Sequence, residues 1–335
     1  MIRVGLVGAG TMGKMYARAF TQCKSAELVA ICDLDLSKAR SLGRRWHVRS
    51  LYSDCEEMLR SEELDAVTVA TPDFHHRKPV IACLKAGKHV LCEKPLATTM
   101  RDCTAIRDAV AKYQRYLMVN YGNRHKMQVY AIKQRVEAGE LGKIENVYIQ
   151  LREPIHKTRT LEWVDKTTPT FFLLSHCTDT VMHLIGGMPQ EVYARANYGV
   201  LSGQGLQTPD TVTAMLSFDN DATVTMDANW IMPEGFAPQI DFTVELIGQK
   251  GAIYCDLRSR DMMVYAKRAR SVDYDSASVD PLGTTHGWWS NSVYYFVDCL
   301  ELGVAPQPDA EQGLRVTQVL LAIEQSARTG KAVKV

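Results

Sequence analysis

The sequence predicts two domains of different class: an N-terminal α/β domain with a doubly wound parallel sheet, then a domain of largely antiparallel strands sharing one open face. Three observations carry this. Strand-like and helix-like runs alternate through roughly the first 120 residues, which implies right-handed crossovers and a parallel sheet. A glycine-rich turn, GAGTMG at 8–13, joins the first strand to the first helix. After residue 123 the alternation stops, and runs such as TVTAMLSF and ATVTMDANW alternate apolar with polar side chains, as strands solvated on one face do.

The elements follow in order. IRVGLV (2–7) is a β-branched-rich strand ended by glycines, and 11–22 a helix. AELVAICD (26–33) is the second strand, followed by a helix capped at Ser37, a short strand near 49–52 and a helix to about Arg60. LDAVTVA (64–70) is continuously apolar, as a strand covered on both faces must be. Pro79 suits the first turn of the next helix and Gly87 its stop. KHVLC is the fifth strand, Thr99 with Asp102 resembles a capping box opening a helix to about 114, and YLMVN (116–120) is the sixth strand. A helix is expected over 125–138, with strands at 144–152, 210–218, 222–230, 240–247, 251–256 and 262–266. The resulting boundaries are 1–122, 123–310 and a C-terminal helical segment, 311–335, expected to pack back on the first domain.

GAGTMG matches GxGxxG in the setting that gives the pattern meaning: after a strand, opening a helix, with the acidic Asp33 twenty residues past Gly13 at the end of the second strand. Gly8 permits the tight turn, Gly10 lets backbone approach a pyrophosphate, and Gly13 lets helix and strand pack closely. The helix N-terminus, with Thr11 and Met12, offers amide donors and a positive dipole end to phosphates. Asp33 is expected to accept hydrogen bonds from the adenosine ribose and to repel a 2′-phosphate, favouring NAD over NADP despite the nearby Arg40.

Ligands of doubly wound sheets sit beyond the carboxyl ends of the strands. The fourth strand ends in ATPDFHH (70–76) and the fifth in CEKP (92–95), so Thr71, Pro72, His76, Glu93 and Lys94 are candidate cofactor contacts. Lys94 is the most informative of them. Most lysines are solvated, but this one ends a core strand and precedes Pro95. Partial desolvation beside a cationic nicotinamide would disfavour its ammonium form, making proton exchange with a substrate hydroxyl feasible.

Other classes are disfavoured. Lys and Arg (39) nearly balance Asp and Glu (38), against a nucleic-acid or anionic-membrane partner. No apolar run reaches the length of a membrane span. The nine cysteines lack CxxC or zinc spacing, and the N-terminus opens straight into a strand, so a cytoplasmic protein with free thiols and no metal is expected.

VGLVGAGTMG, ATPDFHH, AGKHVLCEKPLA, SHCTDTVMHLIGG (175–187), VELIGQKGAIYCD (244–256) and the closing GLRVTQVLLAIEQSARTGKAV (313–333) together resemble the Gfo/Idh/MocA family of sugar and polyol oxidoreductases. The resemblance implies an N-terminal Rossmann domain and an α+β C-terminal domain with a large, mostly antiparallel open sheet, which commonly mediates dimers or tetramers. It also implies a catalytic or substrate-orienting His176, with Asp179 at an acidic position on the same helix. Relatives usually carry aspartate four residues before this histidine and glycine two before; here those positions are Phe172 and Leu174. By helical spacing His183 shares the face of His176, and is more readily structural. Arg152, within a basic cluster with His156, Lys157 and Arg159, and Trp163 are further candidate substrate contacts. The function implied is NAD-dependent hydride transfer to or from a secondary alcohol of a sugar, glycoside, inositol or sugar acid, with Lys94 and His176 handling the proton. Two alternatives stand: a glycoside hydrolase that oxidises the ring transiently, and a non-catalytic nucleotide or sugar sensor.

Overall fold

The computed structural model describes residues 1–236, 240–257 and 285–335, together with the strand backbones 262–265, 269–272 and 278–279. The chain divides into two compact units, 1–122 with 277–317, and 123–276 with 318–335.

The first unit is built on a six-stranded parallel sheet of β1 (Ile2–Val7), β2 (Ala26–Cys32), β3 (Ser50–Tyr52), β4 (Ala66–Val69), β5 (His89–Glu93) and β6 (Leu117–Asn120), in the order 3-2-1-4-5-6. The order reverses between β1 and β4, which is the doubly wound arrangement. Helices α1 (Thr11–Gln22), α2 (Leu36–Trp46), α3 (Cys55–Ser61), α4 (Arg77–Lys85) and α5 (Met100–Tyr113) alternate with the strands. Val4, Leu6, Val67, Val69, Leu91 and Met118 are fully buried, as strands covered on both faces require. Caps follow the local chemistry. Thr99 Oγ1 accepts from the Asp102 amide, and Asp54 caps α3. The N-cap of α2 is Asp35 rather than the expected Ser37: the carboxylate accepts from the Ser37 amide, so the helix begins earlier than the serine suggests.

The strand ends align. Val7 pairs with both Cys32 and Val69, Val69 with Cys92, and Cys92 with Val119. One residue further along each strand stand Asp33, Gly8, Ala70, Glu93 and Asn120, all at one carboxyl edge. The helix Trp288–Leu302, which sequence order places with the second domain, belongs to the first unit. Trp289, Val293, Phe296 and Val297 join Tyr16, Ala17 and Phe20 of α1 in one buried cluster, and Trp289 meets the Tyr16 ring edge-on at 4.9 Å. The helix Ala310–Thr329 begins in the first unit and ends in the second.

The second unit carries a seven-stranded sheet in the order 12-11-7-10-9-8-13, from β7 (Ile144–Pro154), β8 (Pro189–Asn197), β9 (Thr211–Phe218), β10 (Thr223–Met232), β11 (Asp241–Gly248), β12 (Ala252–Asp256) and β13 (Val333–Lys334). Every pairing is antiparallel except β10 with β7. Helices α6 (Met127–Glu137), α7 (His156–Thr160) and α8 (Ser175–Ile185) accompany it. On the face carrying Met226, Thr178 of α8 donates to the thioether sulfur. The opposite face bears a row of directly paired residues, Tyr193, Met215, Thr225, Tyr148, Glu245 and Tyr254, of which both end tyrosines, Met215 and Tyr148 are exposed.

Candidate active site

In the first unit the glycine loop has the geometry a pyrophosphate needs. Gly8 sits at φ +100°, where a Cβ would lie 2.6 Å from Ala70 O, so neither the backbone angle nor the space admits a side chain. A Cβ on Gly13 would collide with Gly8 O, which is why helix and strand pack so closely there. Gly10 is different: a Cβ there would meet nothing within 4 Å. That open approach lies at the N-cap of α1, where no side chain caps the helix, and the amides that follow are left to a ligand or water. Thr11 is exposed and Met12 half-buried beside it. The loop therefore fits a dinucleotide phosphate on its own chemistry.

Asp33 has two jobs. Its Oδ2 accepts from Ala9 N–H at 2.7 Å and its Oδ1 from Asp35 N–H at 2.8 Å, so the carboxylate braces the glycine loop and its own turn. Each oxygen keeps a second lone pair for a ribose hydroxyl. At the tip of β4, Thr71 and Pro72 are half-buried. His76 faces the protein interior. It is wholly buried, with Nδ1 2.9 Å from Pro95 O and Nε2 3.0 Å from Thr71 O, tying the two strand tips together while burial lowers its pKa.

Glu93 likewise faces inward. Tyr16 Oη donates to its Oε1 at 2.6 Å, Asn120 Nδ2 reaches the same oxygen at 3.3 Å and the Tyr16 hydroxyl at 2.6 Å, and the Lys94 amide donates to Oε2 at 3.1 Å. The carboxylate is a buried brace between α1, the end of β6 and the Lys94 amide. Lys94 itself is half-buried, just past the strand end that Glu93 fixes.

In the second unit, α8 is preceded by a π-turn over Thr170–Leu174, in which the Ser175 amide donates to Thr170 O. Such insertions mark functional stretches of helices more often than ordinary ones. His176 follows directly and is half-buried. Phe172, four residues earlier, packs between Trp163 (5.9 Å, edge-on) and the fully buried Trp230 (6.0 Å), whose Nε1 donates to Pro209 O. Trp163 is thus half-buried against the histidine's helix.

Two further candidate substrate contacts have charged partners within the protein. Asp179 is 1 % exposed and Arg124 grips both its oxygens, at 2.7 and 3.0 Å. Burial raises the pKa of this carboxyl and the guanidinium opposes that rise, so the pair is an internal tie. Arg152 lies on β7 between the inward-facing Leu151 and Glu153, donates to Asp227 at 2.9 Å and forms a looser ion pair with Asp241 at 3.6 Å. Period-two alternation puts it with Tyr148 on the open face, opposite the one α8 covers. Arg159 pairs with Glu234. Burial and the Arg124 charge drop the pKa of His183 to about 3 and of His125 to about 4, so both are neutral structural rings. Among the described residues no three His, Cys, Asp or Glu side chains gather as a metal site, and no helix is long and apolar enough to cross a membrane.

Sequence reading passed over Tyr16, Asn120 and Arg124. Tyr16 had a signal: it falls on the buried face of α1, where a hydroxyl must find a partner. Arg124 had none, because its partner is 55 residues away.

The Gfo/Idh/MocA model described as an oxidoreductase family with an NAD-binding Rossmann fold matches residues 2–121, and the C-terminal domain model of the same family matches 129–254. Myo-inositol 2-dehydrogenase of Thermotoga maritima is 28% identical over 257 residues, spanning 76% of this chain and 75% of the relative. D-glucoside 3-dehydrogenase of Escherichia coli is 24% identical over 361 residues, spanning 99% and 97%. The crystal structure of Lactobacillus casei scyllo-inositol dehydrogenase with bound NAD(H) and scyllo-inositol superposes with a TM-score of 0.86 at 19% identity, covering 100% of this chain and 99% of that one.

Proposed function

Because the chain belongs to the Gfo/Idh/MocA family of oxidoreductases with an NAD-binding Rossmann domain, we propose that it is an NAD-dependent dehydrogenase or reductase acting on a secondary alcohol of a cyclitol, sugar, glycoside or sugar acid. The observation that carries this reading is the alignment of strand ends in the first unit, which brings Asp33, the glycine loop, Thr71 and Lys94 to one carboxyl edge. The named activities of the inositol and glucoside dehydrogenase relatives support the substrate class.

NAD, when bound, supplies the two-electron hydride acceptor. The protein's own groups do the rest. The α1 amides and Gly10 would hold the phosphates, and Asp33 the adenosine ribose. In oxidation, the Lys94 amine accepts the hydroxyl proton as the carbinol hydride departs, leaving a ketone; in reduction, its ammonium returns the proton. His176 is the second proton-handling or substrate-orienting group. With Phe172 on the preceding turn, no carboxylate four residues before it shares the task. The open face of the seven-stranded sheet supports a homo-oligomer.

A panel of cyclitols, pentoses, hexoses, glucosides and sugar acids, each incubated with NAD and followed at the absorbance band of reduced nicotinamide, tests the reading. At least one cyclitol or pyranoside should give sustained NADH formation. A panel that yields none, in either reaction direction, rejects it.

A further inference from the structure

The shell of Glu93 goes further than the family assignment. A carboxylate with 6 % exposure would ordinarily take up a proton rather than stay charged in the interior, and burial does push the Glu93 pKa upward. Against that pull stand donors from two other elements: Tyr16 from α1 at 2.6 Å, and Asn120 from the end of β6 at 3.3 Å. The Lys94 amide adds a third on the other oxygen, and the Lys94 charge a favourable field. Tyr16 is a dependable donor, since complete burial and the adjacent carboxylate raise its own pKa well above the ordinary phenol value. Packing alone would not need the hydroxyl. The site is an aromatic one, with Phe20 at 6.5 Å and Trp289 at 4.9 Å, and phenylalanine would fill it.

We propose that Tyr16 and Asn120 are positioning residues for Lys94, acting through the buried carboxylate of Glu93, which fixes the backbone at the lysine and supplies a fixed negative charge behind its amine. The inference rests on the reading of Lys94 as the proton-handling group. It also joins two parts of the site: Tyr16 lies three residues past Gly13, on the helix whose first turn would carry the phosphates, so that helix and the lysine share one carboxylate. Titratable groups that interact with Glu93 or Lys94 include Tyr16 and Cys92, which feel the carboxylate, and His76, which feels the lysine.

A carboxylate behind Lys94 favours the ammonium, so weakening or removing that charge lets the amine lose its proton at lower pH. Competitive acetylation with trace acetic anhydride across pH, read by peptide mass spectrometry against the exposed Lys24, measures this without substrate or cofactor. Glu93→Gln should raise Lys94 reactivity at neutral pH by about tenfold, the equivalent of one pH unit. Tyr16→Phe and Asn120→Ala, checked as folded by near-ultraviolet circular dichroism, should each change it about twofold or more, upward where loss of the donor lets Glu93 take up a proton and downward where Glu93 stays ionised, with Lys24 unchanged. Asn120→Ala leaves α1 untouched, so it decides the matter if Tyr16→Phe misfolds. Unchanged Lys94 reactivity in the folded variants overturns the proposal even if the protein proves to be a dehydrogenase. An inactive substrate panel would leave the labelling result standing by itself.

Discussion

Lys94, Asp33 and His176 can each be tested singly. Lys94→Ala should fold and still bind NAD, because the open approach at Gly10 and the α1 amides lie elsewhere. Its turnover should fall by about 10²–10⁴, the usual worth of a positioned acid or base, measured by steady-state kinetics on a substrate from the panel; an unchanged rate would make it a bystander. NAD(H) should bind more tightly than NADP(H) in calorimetric titration, and NADPH tighter by tenfold, about 1.4 kcal/mol, would contradict the role of Asp33. Asp33→Ser should narrow the preference and also weaken binding of both, since the variant loses the bond that holds Ala9 N–H. His176→Ala should lower turnover far more than thermal stability. Asp179→Ala should do the reverse, costing about 3–5 kcal/mol in denaturant unfolding by stranding Arg124. The glycine turn and the position of Lys94 just past a strand end were legible in the sequence because turn chemistry and strand ends are local signals. The roles of Glu93, His76 and Asp179 were not, because a polar side chain's direction depends on partners from distant segments: Tyr16 and Asn120, Pro95 O, and Arg124.

At the scale of elements, the six strands of the first unit and their order follow from alternation and apolar runs, whereas the helix Trp288–Leu302 defeats sequence order. Its buried aromatic and aliphatic face belongs with α1, and nothing in its own residues says which domain it completes. Arg152 marks a second limit. The alternation of β7 was readable, but which face α8 covers was not. The α6–α8 region also carries a pH signature. His125 and His183 have folded pKa values of about 4 and about 3, below the ordinary 6.5, because burial and Arg124 disfavour their charged forms. In the unfolded chain both bind protons below about 6.5. Their contribution to stability is therefore complete above that pH and drains away as pH falls toward 4 and 3. Thermal unfolding midpoints should decline through that window, and His183→Gln, neutral at every pH, should flatten the decline. A variant as acid-sensitive as the parent would contradict this origin.

For the molecule as a whole, the open face of the second sheet presents Tyr193, Met215, Tyr148 and Tyr254 at 40, 52, 45 and 71 % exposure along one cross-strand row. Thr225 and Glu245 stand between them in the row, and exposed aromatic and aliphatic side chains clustered on one sheet face are what an interface uses. A dimer or tetramer is the expected state in light scattering, and Met215→Asp should shift it toward monomer; a monomer at micromolar concentrations for the parent would refute the expectation. Net oxidation of a ring alcohol with NAD as the acceptor is tested most directly by giving the protein NAD and a cyclitol or glucoside active in the panel, deuterated at the oxidised carbon, and following the label by mass spectrometry. The prediction is one deuterium in each reduced NAD released, one ketone formed with it, and loss of both in Lys94→Ala. Deuterium retained in the sugar product, with no accumulation of reduced cofactor, would contradict it.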